Sequence, residues 1–478
     1  MNESLGFLLS LFLPGLLGYV WLDLLWRPAH WAAKAGYGYL LGTIFLAVIF
    51  LAWGSMGLTL TFSSITIVFL LFTLIPFSLD SRVSLGSKTC DCGAHTTSWK
   101  IWIWWFFLII FIVRFGGLLL EVFWRPLYPW DAWMNWAPKA RVWFGLQDLI
   151  PFVHYSQWPT QSLSSSAFSL GNPDASLYPP LVPLVQLWIA LGLGEWRDNW
   201  INLPWFLCAI ALSLAFYGQL RMLKITPLAS LLATYLLLSM PYLNTHVALG
   251  GYADLWMAAF YCAAVMALIG WTSTRSSVQL MLMLVMAVGC ILTKKPGLIW
   301  AATLIPGILL VISPKWQKYL LSLFTIVILG TLATTHQIVL NLTESQQLIL
   351  SADMLQIPGF GTFPITYHSV SQYFIDNIFI RNNWNLSGWL ILLLFPVIMF
   401  VGKSKQSTTP AALTLAIGIL FVFFVFTFTQ HYQAAANSTT INRAIFHLAP
   451  ALFYTAIVAF LFGNKGTFTP AKRTTSAN

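Results

Sequence analysis

Tyr178-Pro-Pro-Leu-Val-Pro-Leu-Val-Gln-Leu-Trp-Ile-Ala-Leu-Gly-Leu193 is an apolar run that stops short of a membrane span. Crossing about 30 Å of hydrocarbon takes roughly 20 helical residues, more than residues 181–193 supply. Two prolines suit the start of a helix and Pro183 limits it, so the stretch reads as a re-entrant or surface-lying helix. Whether it crosses decides the fold, because every later loop would change sides. Lysine and arginine in short loops mark the cytoplasmic side. Arg27 and Lys34, Lys100, Arg221 and Lys224, Arg275, Lys403 and Lys405 share one side only if 181–193 does not cross. Residues 124–198 then form one large outer-face loop containing juxtamembrane helices, and the N-terminus is also outside.

The rest of the chain agrees with a membrane setting. Of its 478 residues 58% are hydrophobic and 8% charged, whereas soluble domains carry about a quarter charged residues. The fold class is therefore an all-α polytopic membrane protein. Apolar runs near 4–22, 35–54, 58–77, 101–123, 200–220, 227–243, 253–271, 278–293, 297–313, 319–340, 386–402, 411–430 and 447–463 make about thirteen transmembrane helices. The first run lacks a basic leader and a small-residue cleavage site, so it reads as a retained helix. Residues 1–100 look like an additional three-helix region with an inner linker. Residues 101–313 form the informative module, and 314–478 hold C-terminal helices with an outer loop at 341–385. The net charge of +10 is accounted for by cytoplasmic loops, and no nucleic-acid partner is expected. Cys208, Cys262 and Cys290 read as buried small residues. Cys90-Asp-Cys92-Gly-Ala-His95 offers metal-type ligands, at irregular spacing.

Charges gather on the predicted outer face. In Trp130-Asp-Ala-Trp-Met-Asn-Trp-Ala-Pro-Lys-Ala-Arg-Val-Trp143 an acid, two bases and four tryptophans follow a span, and charges beside hydrocarbon usually mark a substrate or headgroup site. Trp133, Trp136, Ala140 and Trp143 recur at helical spacing, as an aromatic stripe facing the membrane interface. Asp131, Asn135 and Lys139 occupy another face, and Pro138 suggests two short helices meeting near Ala137. Asp131 is then either a helix cap or a reactive carboxylate, with Lys139 and Arg141 beside it. Gly250-Gly-Tyr-Ala-Asp254 sets a second carboxylate at the start of a span, where the helix dipole favours it, with His246 just upstream. Thr293-Lys294-Lys295-Pro-Gly297 is a basic turn on the outer side, and Arg443 with His447 opens the last span. Lysine as a point charge and arginine as a planar fork both suit phosphate.

In this order along the chain, the outer-loop carboxylate, the Tyr178-Pro-Pro-Leu start of a helix, the Gly-x-x-x-Asp254 start of a span, the Thr-Lys-x-Pro-Gly turn and Arg443 before a proline-containing helix resemble the GT-C superfamily. These are integral membrane glycosyltransferases that use polyprenyl-phosphate-linked sugars, such as aminoarabinose transferases and protein O-mannosyltransferases. The resemblance covers 101–313, and 430–460 more loosely. It implies catalytic roles for Asp131, which would deprotonate the acceptor, and Asp254. It also implies substrate-binding roles for Lys294, Lys295 and Arg443 on the lipid phosphate, and for Tyr178. Many relatives pair two acids in the first loop. Here Ala132 and Trp133 follow Asp131, which counts against a bound divalent metal, and no other cofactor is implied.

The function expected is transfer of a sugar from a polyprenyl-phosphate carrier to a glycan, lipid or protein acceptor on the outer face of a cell-envelope membrane, the bacterial inner membrane by preference. Inversion is expected, with Asp131 as general base and the cations stabilising the leaving phosphate. The alternative is a secondary transporter or lipid-linked sugar flippase, which should place charges near the bilayer midplane. Only Arg114 and Glu121 lie within an apolar span.

Overall fold

A computed structural model describes residues 3–79, 98–161, 167–312, 319, 337–343, 346–351, 353–357, 361–392 and 405–463. The Cys90–His95 group lies outside them. The long apolar runs form helices α1 (Glu3–Leu25), α2 (Trp31–Ser55), α3 (Phe62–Leu79) and α4 (Ser98–Trp124). After them come α5 (Ala137–Leu146), α6 (Leu181–Leu193), α7 (Leu203–Met222), α8 (Pro227–Leu238) and α9 (Pro241–Ala248). The C-terminal part holds α10 (Asp254–Thr274), α11 (Ser277–Thr293), α12 (Gly297–Ile312), α13 (Lys405–Phe428) and α14 (Thr440–Gly463). Among the described residues eight helices are long and apolar enough to cross a membrane: α1 to α4, α7, α10, α13 and α14. The chain is a multi-pass, predominantly helical membrane protein.

Eight is fewer than the expected thirteen, for identifiable reasons. The run 227–243 is broken, because Met240 before Pro241 adopts an extended conformation (φ −60°, ψ 118°) and α9 starts afresh. Helices α11 and α12 have 17 and 16 residues, roughly 25 Å each. The expected spans 319–340 and 386–402 lie largely outside the described residues, and where the first is described, at 337–340, it is a β-strand.

That strand, β1 (Gln337–Thr343), opens a four-stranded antiparallel meander with β2 (Gln346–Ser351), β3 (Met354–Ile357) and β4 (Gly361–Pro364), in the order β1-β2-β3-β4. In register, Leu355 faces Phe363 across β3 and β4. The segment after the sheet packs on the start of α14, where Asn442 donates to Asn377 Oδ1 at 2.8 Å and accepts from Asn383 at 3.1 Å.

Helix α10 is the axis of the fold. Every residue from Asp254 to Trp271 is buried, and α7, α11, α13 and α14 pack around it. The first helices join this core directly. A Cβ on Gly36 of α2 would meet Ala211 O and Ala215 N of α7 at 2.3 Å, so only glycine permits that backbone approach. Tyr37 extends the contact, its hydroxyl donating to Ala263 O of α10 at 2.8 Å. Lys34 is not a loop charge facing the cytosol. It is buried and donates to Asp23 at 2.7 Å.

Two expectations about surfaces are overturned. Of the two readings of α6, the surface-lying one does not hold, since all 13 of its residues are buried; the re-entrant one is unaffected. Helix α6 packs on α1, α2 and α5, with Trp188 donating to Ser10 O at 2.8 Å and its ring 4.6 Å from that of Phe62. The aromatic stripe also turns inward. Trp136, Ala140 and Trp143 are buried and only Trp133 is exposed, because an apolar stripe finds a protein surface there instead of lipid. Lipid is faced by α4, which presents Trp102, Phe106, Ile109 and Val113 outward.

Candidate active site

The site assembles at the N-terminal end of α10. Gly251 (φ +106°) makes the turn into the helix, and a Cβ there would meet Ala132 Cβ at 2.5 Å. Glycine thus lets the segment carrying Asp131 close onto the helix start. Trp130 and Asp131 lead into a π-helical turn, Ala132–Trp136, that runs straight into α5. The two short helices meet at Ala137, as expected from Pro138, which sits in the first turn of α5. Asp131 makes no capping hydrogen bond.

Asp254 makes no cap either. Its carboxylate accepts from Lys294 Nζ at 3.1 Å, from Arg443 Nε at 2.9 Å and Nη2 at 2.6 Å, and from His447 Nε2 at 2.8 Å. Arg443 Nη2 also donates to Asp131 Oδ2, so one guanidinium joins the two acids. Arg443 and His447 stand one turn apart on α14, while Lys294 ends α11 in an extended conformation (φ −160°, ψ 152°) that aims it at α10. Trp300 Nε1 donates to His447 Nδ1 at 3.1 Å. An indole can only donate, so Nδ1 carries the lone pair and Nε2 the proton that it gives to Asp254.

With 0% exposure and both oxygens held by donors, the Asp254 carboxylate orients Lys294, Arg443 and His447. Burial pushes the Lys294 ammonium pKa down, with Arg443 adding to the effect.

Lys295 points elsewhere. Its Nζ lies 5.4 Å from the centre of the Tyr178 ring, and among the described residues it has no ion-pair partner. Lys139 donates to Ser176 O at 3.1 Å and Tyr178 O at 3.4 Å, securing the segment before α6. Burial, and then Lys295, hold its pKa down at about 8. The Tyr178 ring lies 5.3 Å from that of Trp136, and burial raises the pKa of its hydroxyl.

Asp131, Tyr178, Asp254, Lys294, Lys295, Arg443 and His447 line a cavity of about 590 Å³. Asn135, Asn172 and Asp174 add polar lining. Ile299, Trp300, Phe421 and Val425, with Leu355, Ile357 and Phe363 of the sheet, supply apolar lining. The sequence thus singled out Asp131, Tyr178, Asp254, Lys294, Lys295, Arg443 and His447, which the fold brings to this cavity, and Lys139 just behind it. Two expected substrate contacts fall elsewhere. Arg141 is exposed on α5, 5.9 Å from the Trp196 ring. His246 is buried among Tyr242, Tyr252 and Phe446, with Nδ1 2.9 Å from Tyr242 O, and burial lowers its pKa to about 4. Both lie outside the cavity because α5 and α9 turn those positions away from it.

Sequence reasoning missed Trp300, Tyr252, whose ring centre is 5.1 Å from the Arg443 guanidinium, and the sheet. Nothing local separates Trp300 from the other tryptophans of the 24 in the chain. Among the described residues no three His, Cys, Asp or Glu side chains converge as metal ligands would. Comparison of the chain with protein-family models, curated proteins and solved structures finds no match.

Proposed function

We propose that the protein is an inverting GT-C-type glycosyltransferase that moves a sugar from a polyprenyl-phosphate carrier to a glycan, lipid or protein acceptor. The observation that supports this reading is the mixed lining of the cavity: cations and carboxylates together with aromatic and aliphatic side chains suit an amphiphile with an anionic head. The carrier's chain lies along Phe421, Val425 and Phe363. Its phosphate meets Lys295 and Arg443, whose charge offsets the negative charge that grows as the sugar–phosphate bond breaks. The acceptor oxygen attacks the anomeric carbon from the opposite face, its proton passes to Asp131, and the carrier phosphate departs with the bonding electron pair.

The reading includes an orientation. The helix ends meeting at the site are those that the basic-loop argument sets on the outer face, so transfer takes place outside, in a bacterial inner membrane on the periplasmic side. About thirteen crossings, with 124–198 and 341–385 outside, satisfy that argument. Native mass spectrometry of the purified protein tests the class: a co-purifying polyprenyl phosphate, with or without a sugar, is expected. A protein that carries no such lipid and fails to bind it when supplied is not this enzyme.

A further inference from the structure

Arg443 serves two carboxylates on unequal terms. Asp254 has donors besides Arg443, namely Lys294 at 3.1 Å and His447 at 2.8 Å. Asp131 has only Arg443 as an ion-pair or hydrogen-bond partner among the described residues. Asp254 has no exposure, whereas the side chains of Asp131 and Arg443 are 11% and 19% exposed and both border the cavity. An anion entering the cavity therefore meets a guanidinium held by Asp254 through Nε and Nη2 and by Asp131 through one contact of the same Nη2. The second contact is the one open to exchange, because its loss leaves Asp131 facing a polar cavity and not apolar core.

We propose that Asp131 and the anionic headgroup of the ligand compete for Arg443, so that headgroup binding frees the Asp131 carboxylate. This rests on the reading of the cavity as a lipid-phosphate site and adds an order of events to it. In the empty site the carboxylate oxygen that would receive the acceptor's proton is occupied by the guanidinium. Once phosphate takes that contact, the Asp131 oxygen is open to the hydrogen bond of an acceptor hydroxyl. The carrier must then bind before the acceptor hydroxyl can be deprotonated, and Asp131 stays quiet without a donor.

Removing the competitor should strengthen headgroup binding. With a short-chain polyprenyl phosphate as probe in detergent, Asp131→Asn is expected to bind about tenfold tighter than the native protein, a gain between that of an exposed and a buried ion pair. Asp174→Asn is the control. It removes the same charge from the same cavity without touching Arg443, and is expected to tighten binding about twofold or less. Equal tightening in the two variants would reduce the effect to long-range charge and overturn the exchange. Unchanged or weaker binding in Asp131→Asn would overturn it too, and Asp131→Ser repeats the test should the amide fail to fold. Absence of binding in the native protein and both variants would instead remove the lipid-phosphate reading itself.

Discussion

In the proposed mechanism Asp131 is the base, and Asn at that position keeps its shape while removing that base. If transfer uses Asp131 as base, Asp131→Asn lowers single-turnover sugar transfer about 10²–10⁴-fold while the folded protein still binds the carrier. Near-normal turnover would end the mechanism. Asp254 behaves differently, because its substitution by Ala leaves Lys294 and Arg443 buried beside a missing counter-charge. A loss of about 3–5 kcal/mol in stability is expected, seen as a lower melting temperature even without substrate. Lys139 gives a pH signature. Its ammonium pKa is held at about 8 in the folded protein against an ordinary value of 10.5, so between those values the unfolded chain binds more protons. Stability conferred through this residue therefore rises with pH from about 8 toward 10.5, at a limiting slope of about 1.4 kcal/mol per pH unit. Lys139→Met should remove that increment from the melting profile. The sequence could single out these residues because charge beside hydrocarbon is costly enough to need a reason. It could not pair them, since Arg443 is 312 positions from Asp131.

At the scale of elements, length was a better guide than composition. Helix α6 has 13 residues, the length on which its reading as re-entrant or surface-lying rested, but its neighbours α1, α2 and α5 were invisible in the sequence. The sheet was missed because Ile338, Val339 and Leu340 continue an apolar run, and a short apolar strand cannot be told from a helix end by periodicity. That sheet contributes Leu355, Ile357 and Phe363 to the lining of the cavity. Phe363→Ala should weaken carrier binding by roughly tenfold or more, in line with about 1.5–3 kcal/mol for a buried phenyl group, while inorganic phosphate binds as before. If both ligands lose affinity equally, the sheet supports the site without touching the chain of the lipid.

For the molecule as a whole, the prediction concerns sidedness. Ser156 lies in the segment before α6 and Ser277 at the start of α11, and both are exposed. Cysteine at Ser156 should react with an impermeant reagent applied from outside, whereas cysteine at Ser277 should react only after permeabilisation. The reverse pattern would turn the cavity toward the cytosol and rule out an external acceptor. Basic-loop counting could suggest sidedness because charge selects it during insertion. The packing of α1 and α2 against α7 and α10 was not legible, because glycine and tyrosine in an apolar helix carry no sign of what they touch.

The separation of 189 residues between Asp254 and Arg443 also has a meaning in time. At about 5–20 residues per second, a ribosome needs roughly 10–40 s to deliver the arginine after the aspartate. Through that interval Lys294, only 40 positions downstream of Asp254, is the earliest cation able to neutralise it. A nascent chain halted before α14 would hold half of the ion cluster, so arrival of the last helix is the step that completes the site, and chains lacking it should be the ones that quality-control proteases remove.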